Sequence, residues 1–587
     1  MRSGKKFTLG FLPALLTIIA MVVAGCGSGG NGPSSSTKPA AAPKSQQIFR
    51  WGVVDTDIAS FDPGIATDLY SINAIQMVFT GLVQENNQLQ VQDQLAQSHD
   101  MSPDGLTYTF HLRPNLKFSD GTPLTAQDVA YSIDRALSPA VSQLNGVTQT
   151  YLGLIKDSDK RLNGKISTLI GDSIKVIDAN TISLTISKAA PYFLQALTYP
   201  TAYVVEKSVI DKWGTKWTDH LSDNGGQGGD GPFKVKSYSH TTGIVFVPNP
   251  NYYGPQPQLQ EVDMDFYKTP ETSYAAYNAN QIDLTPIPAE DYQQAALKVK
   301  EYHKFGELTI DYLNMNYLDK PFDNIHIRQA FELAINKDAI SKAIYSGIRV
   351  PTCHIVPSGM PGYDPNLKCP GGAPTKGDPT MAKQLLQQGM QEEGWTSVSQ
   401  IPPIKITYES GVSALDNEIT TIRQEWQQVL GITVTTQVVD FNTLLNNLAL
   451  SGPCTQTDLT KCVGKGMQMW ALAWGADYPD PQDWLTLQFD KGAPNNNGNY
   501  GQNLGSGAAE QQQVQTLMEQ ADVDQNPTDR IAKYNQAEQA LVNDVAWLSL
   551  DQRTGVSLMK SYVTGWVDNA LNEPTPDSWA NVYIAVH

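Results

Sequence analysis

Apolar and polar positions alternate most clearly between residues 101 and 137, MSPDGLTYTFHLRPNLKFSDGTPLTAQDVAYSIDRAL. Leu106, Tyr108, Phe110 and Leu112 interleave with Thr107, Thr109, His111 and Arg113, the period of a half-buried strand. Pro103, Asp104 and Gly105 predict a turn before it. Pro114 and Asn115 break the strand, Lys117 and Phe118 resume it, and Ser119-Asp120-Gly121 turns the chain again. The period then lengthens to that of a helix. Thr125 is placed to cap it, and Val129, Ile133 and Leu137 form its apolar face. A hairpin followed by a helix is the prediction.

Similar patterns recur along the chain. After the Pro63-Gly64 break a helix is predicted to end near Gly81. Residues 181–186 and 262–267 read as strands. Residues 328–340 read as a helix with Phe331, Leu333, Ala334 and Ile335 on its apolar side. A helix is predicted over 382–395, and strands over 404–408 and 432–438 flank a helix at 418–430. Strands alternating with helices predict an α/β sheet with helices on its faces. No internal repeat is visible.

The N-terminus has a different pattern. Arg2, Lys5 and Lys6 precede a mostly apolar run over 7–23, which ends in Val23-Ala24-Gly25-Cys26. A basic start, a short apolar core and small residues before a cleavage point predict a secretory signal. The run falls short of the ~20 residues that a spanning helix needs. Residues 27–47, rich in Gly, Ser, Pro and Ala, hold too little apolar surface to fold and read as a flexible tether.

Composition narrows the function. At 587 residues the chain is long enough for more than one domain. Its net charge of −18, from 41 basic and 59 acidic groups, argues against nucleic acid and against polybasic docking to a membrane. Beyond Cys26 four cysteines remain: Cys353, Cys369, Cys454 and Cys462. In an exported protein they suggest two disulfides, and although three pairings are possible, proximity favours Cys353–Cys369 and Cys454–Cys462. Gly226 to Gly231 spells a dinucleotide-binding glycine motif, but no apolar strand leads into it and a strand, not a helix, is predicted after Pro232. The eight histidines show no metal spacing, and no nucleophile motif is legible. No cofactor, no metal and no catalytic residue are therefore expected.

The segment 101–137 resembles the signature of the extracellular solute-binding proteins, family five, the peptide- and nickel-type receptors of ABC importers. Further segments carry the likeness: the Asp62-Pro63 step, Gly81-Leu82-Val83, Gly229-Asp230-Gly231-Pro232-Phe233, Asn249-Pro250-Asn251-Tyr252-Tyr253, and Pro321-Phe322-Asp323 followed by Ile327-Arg328-Gln329-Ala330. The C-terminal piece from Ser561 to Ile584 is similar too, so the resemblance covers nearly all residues beyond the tether. Cys26 after small residues resembles the bacterial lipobox, which implies cleavage before it, diacylation of its thiol and a lipid anchor on the outer face of the cytoplasmic membrane.

The resemblance implies an α/β, two-lobed periplasmic-binding-protein-like fold of the large cluster C type, with an extra subdomain in lobe one. The expected organisation is a signal at 1–25, a tether at 26–47 and lobe one at 48–267, with its subdomain at about 90–185. Lobe two follows at 268–552, and 553–587 returns to lobe one. Two such lobes predict a ligand cleft that closes by hinge motion. The implied function is that of a monomeric, non-enzymatic receptor that passes an oligopeptide or dipeptide to ABC permease transmembrane subunits. Oligosaccharide or metal-chelate binding by the same fold is the nearest alternative, and a secreted hydrolase is the rival from another class.

Residues 469–484, MWALAWGADYPDPQDW, are the most suggestive candidate site, with three tryptophans, three aspartates and two stiffening prolines. In peptide-binding members the aspartate just beyond the tryptophan-glycine pair binds the ligand's α-ammonium, which falls here on Asp477. A fixed carboxylate in a dry site suits an ammonium. Trp474 is expected to pack on the ligand, and Tyr267, Thr67 and Asp68 are expected to line the cleft.

Overall fold

The computed structural model describes residues 39–144, 147–505 and 507–587. The predicted signal, Cys26 and most of the tether lie outside the described residues; the end of the expected tether, 41–47, is instead part of the body, with Ala41 bridged to Ala585 and buried Gln47 donating to the Ile584 carbonyl at 2.8 Å. In the body Ala41–His587, ten strands follow one continuous hydrogen-bonded path. They are β1 Ile48–Val54, β2 Phe233–Ser239, β3 Gly243–Pro248, β4 Glu261–Tyr267, β5 Leu284–Pro286, β6 Tyr302–Met315, β7 Ile404–Glu409, β8 Val434–Val439, β9 Met469–Gly475 and β10 Leu548–Met559. Their spatial order is β8-β7-β9-β6-β10-β5-β1-β4-β3-β2, and the short strand Val350–Pro351 pairs with β10 as an eleventh. Mixed α/β architecture and a two-lobed body follow from this sheet and from the cores packed on its two halves.

The strands β6 and β10 join the halves. The first part of β6 pairs with the end of β10, from Tyr302↔Leu558 to Gly306↔Thr554. Register then slips, and pairing resumes from Ile310↔Gln552 to Leu313↔Leu548. One half of the long ladder thus belongs to the β1 side and the other to the β9 side. A strand partner also draws the chain beyond Lys268 back to the first half. Trp51 of β1 pairs with Leu284 of β5, and the helix Pro270–Asn278 packs beside them.

A separate antiparallel sheet of four strands, Ala96–Met101, Thr107–Leu112, Thr181–Thr185 and Ile174–Asp178, carries its own apolar core. The alternation seen in the sequence buries Tyr108, Phe110 and Leu112 there. Its helix Ala126–Ala136 begins in a capping box: Thr125 Oγ1 accepts from the Gln127 amide at 3.3 Å, and Asp128 accepts from the Thr125 amide at 2.8 Å.

The helices expected over 382–395 and 418–430 are Pro379–Glu392 and Ser413–Leu430, and two further expected helices are cut by contacts from elsewhere in the chain. The first ends at Val78, not near Gly81. Phe79 is already extended, and the Thr80 amide donates to buried Asp230 at 3.0 Å. The Val78 carbonyl accepts from the amides of Asp230 and Gly231 at 3.0 and 2.8 Å. A Cβ on Gly229 would lie 2.1 Å from that same carbonyl oxygen, so only glycine permits the approach. The glycine-rich loop therefore caps a helix end. The second, expected over 328–340, is two helices, Ile325–Leu333 and Lys337–Ile344. The Asp378 amide takes the Leu333 carbonyl at 2.8 Å, Glu425 accepts from the Asn336 amide at 3.0 Å, and the Asn336 side chain caps the new helix through Ala339. Disulfides join Cys353 to Cys369 and Cys454 to Cys462 across 16 and 8 residues.

Candidate functional site

β9 delivers the loop that follows Gly475 to the junction of the two halves. The Ala476 amide still pairs with the Leu308 carbonyl at 2.8 Å, so the loop leaves the sheet one residue before Asp477. Three interactions then fix it. Buried Asp483 accepts from the Asp477 amide at 3.1 Å and from Trp474 Nε1 at 3.4 Å. Asp480 caps the turn of helix Pro481–Trp484 through the Gln482 amide at 2.9 Å. The same carboxylate forms a two-pronged pair with Arg530, at 2.7 Å on each side, and both partners are buried. With its neighbours so held, the Asp477 side chain crosses to the other half, where the Tyr151 hydroxyl donates to it.

Aromatic rings complete this contact. Tyr151 stacks on Tyr199 with ring centroids 3.7 Å apart, and Tyr199 Oη donates to the Ala66 carbonyl at 3.0 Å. Tyr478 meets the edge of Tyr151 at 6.2 Å and lies parallel to Tyr192 at 6.4 Å. Lys188 and Asp522 add a long ion pair at 4.0 Å.

Beside Asp477 is a small cavity, partly open to solvent, whose polar lining includes Gln76, Gln84, Glu85 and Glu573. Three carboxyl groups thus face one space, and no Lys, Arg or His is among its lining residues. Burial drives the electrostatics. It pushes the Asp477 carboxyl up to about 7, against the opposing pull of the Tyr151 hydrogen bond. It pushes Glu573 up to about 8, although Gln76 donates to that carboxylate at 2.6 Å. Glu85 is raised well above the usual range by burial and then by the charge of Glu573. Asp483 is raised too, first by burial and then by Asp477. Such a site is short of positive charge and suits a cationic group that brings its own N–H donors.

The structure sorts the residues anticipated from sequence. Asp477 lines the cavity, whereas Trp474, Tyr267, Thr67 and Asp68 are not among its lining residues. Trp474 packs against the core beneath the loop, with its N–H turned to Asp483. Tyr267 ends β4 level with Val54 and packs at the edge of a cluster around Tyr277. Asp68 caps the helix Leu69–Val78, accepting from the Ser71 amide at 2.9 Å, and Thr67 before it is exposed. Tyr151, Tyr199, Glu85 and Glu573 were not anticipated. They come from distant segments, and no local pattern marks them. Among the described residues no group of His, Cys, Asp and Glu is arranged to hold a metal ion, and no helix is long and apolar enough to cross a membrane.

The family model of the bacterial extracellular solute-binding proteins, family 5, matches residues 90–496. The chain belongs to this family. As a family 5 solute-binding protein it is 25% identical over 538 residues to the oligopeptide-binding protein OppA of Bacillus subtilis, covering 90% of this chain and 92% of that one. It is 29% identical over 536 residues to the dipeptide-binding protein of Lactococcus lactis, covering 87% and 90%. Among solved structures, the murein tripeptide-binding protein MppA of Escherichia coli superposes with a TM-score of 0.76 at 23% identity, over 93% of this chain and all of that one. The unliganded open form of MppA gives 0.65. The family is one of extracellular solute-binding proteins, and the chain shares the fold of the MppA structures.

Proposed function

We propose that this family 5 protein captures a short peptide between its lobes, by the peptide's α-ammonium on Asp477, and delivers it to an ABC permease. The observation that carries this reading is the cavity beside Asp477, with three carboxyl groups and no lining cation. A free amino terminus supplies the missing charge and three donors. The names of the Bacillus and Lactococcus relatives, an oligopeptide- and a dipeptide-binding protein, support the same ligand class. A sugar site is less well supported: Tyr199 and Tyr203 offer rings to stack on, but a neutral sugar brings no positive charge to the three carboxyl groups.

The register slip between Gly306 and Ile310 on β6, opposite Gln552 and Thr554 on β10, is the hinge in this reading. Lobe one then includes β5 and the segment to about Gly306, and β10 passes back into it after Gln552. The Tyr151–Asp477 contact, the Tyr192–Tyr478 pair and the Lys188–Asp522 pair are the latch between closed lobes. Solution scattering tests the proposal. Saturating peptide is expected to lower the radius of gyration and, by mass action, to raise the melting temperature. A peptide that binds tightly and leaves the scattering curve unchanged would refute closure.

Lipid anchoring at Cys26, on the outer face of the cytoplasmic membrane, belongs to the same proposal and rests on the Val23-Ala24-Gly25-Cys26 pattern. The mature native protein is expected to begin at an acylated Cys26. An intact mass that retains residues 1–25 without lipid would overturn it.

A further inference from the structure

The cavity holds more carboxyl groups than an amino terminus needs. Glu85, in the strand Val83–Glu85, is 8% exposed, and both its carboxylate oxygens are buried without a hydrogen-bond partner. Thr198, whose hydroxyl donates to the Gln195 carbonyl at 2.7 Å, is the one neighbour that pulls on Glu85 against burial. Gln84, on the same strand, is engaged elsewhere: its amide donates to Asp577 at 2.9 Å and its carbonyl accepts from Gln94 at 3.0 Å. Glu573 has one donor, Gln76. Its own amide is taken by Asn569 at 3.2 Å, which holds the C-terminal segment against the cavity. The electrostatic neighbours run in series, with Asp477 acting on Glu573 and Glu573 acting on Glu85.

Buried carboxylate oxygens without a donor are costly, and among the lining residues nothing cationic relieves them. We infer that the Glu85–Glu573 end of the cavity is a pocket for the cationic side chain of a lysine or arginine near the amino terminus of the bound peptide. The inference rests on the peptide reading above and adds a side-chain preference to it. An ammonium brings three N–H donors and a guanidinium five, enough for both oxygens of Glu85 and the open one of Glu573. The α-ammonium on Asp477 and the side-chain cation further in would then be held by separate carboxylates of one cavity. A neutral side chain of equal length would leave Glu85 unpartnered, so selectivity comes from the cost of that mismatch.

Calorimetry with a matched peptide set tests this. The probes are tetra-alanine peptides carrying one lysine at the first, second or third position, each compared with its norleucine counterpart. For at least one position the lysine peptide is expected to bind about tenfold or more tighter. In Glu85→Gln, and separately in Glu573→Gln, the ratio of the two affinities should fall towards one. The ratio is compared within each variant, so partial loss of folded protein does not imitate the effect. Equal affinities at every position in the native protein, or a preference that survives both variants, overturns the pocket while leaving peptide binding intact. If neither series binds, the peptide reading itself fails and the pocket with it.

Discussion

Asp477→Ala is expected to weaken binding of a peptide with a free amino terminus and no basic side chain by about a hundredfold to several thousandfold. Removing one partner of a buried ion pair costs about 3–5 kcal/mol, because the other charge is left without compensation. Acetylating the amino terminus should cost the native protein a comparable amount. The two changes remove the same interaction, so together they should cost much less than their sum. The pH dependence has a definite sign. Burial places the Asp477 carboxyl at about 7, and only its ionised form pairs with an ammonium. Affinity should therefore fall as pH drops below about 7, where the ligand must displace a proton. It should fall again above about 8, where the peptide's own amino group is neutral. Binding heats measured in buffers of different ionisation enthalpy should show proton release on the acid side, and Asp477→Ala should abolish it. Full additivity of the two losses, or tight binding of acetylated peptide, would make Asp477 a purely structural residue.

The second large effect is on stability. Arg530→Ala leaves Asp480 buried beneath the binding loop without the two charge-assisted bonds that now hold it at 2.7 Å each. The expected cost is again about 3–5 kcal/mol, read as a lower midpoint in urea denaturation. Asp480 lies three residues beyond Asp477 and caps the helix that closes the loop, so ligand affinity should weaken as well. Arg530→Met combined with Asp480→Asn removes both charges and should recover part of the stability. An unchanged midpoint in Arg530→Ala would show that the pair adds nothing to the fold.

What could be read from the sequence is what local chemistry determines. The strand Thr107–Leu112 and the helix after Thr125 follow from a period and a capping box within a few residues of each other. The end of the first helix at Val78 does not, because its cap comes from Asp230 and Gly231. That loop is spelled like a phosphate site, yet its glycines serve a close backbone approach. The break after Leu333 is likewise imposed from outside, by Asp378 and Glu425.

The site divides in the same way. Asp477 stands out because family resemblance and a proline-stiffened loop mark it together. Trp474 and Asp68 carry equally suggestive chemistry, and local bonds take part of it: the indole N–H faces Asp483, and one Asp68 oxygen caps a helix through Ser71 while the other is buried without a partner. Tyr151 lies 326 residues from the aspartate it contacts, and Glu85 and Glu573 meet only through the C-terminal return of the chain. Pairings at that range are settled by the folded sheet, and no window of sequence displays them.

The central claim is capture of peptides by their amino terminus, and a competition measures it directly. The Cys26→Ser protein, freed of its lipid, is incubated with a random library of tri- to pentapeptides, half with free and half with acetylated amino termini. After gel filtration the protein is denatured and the released ligands are identified by mass spectrometry. The account predicts that the retained peptides come almost wholly from the unacetylated half. Equal retention of both halves, or retention of no peptide at all, would contradict it.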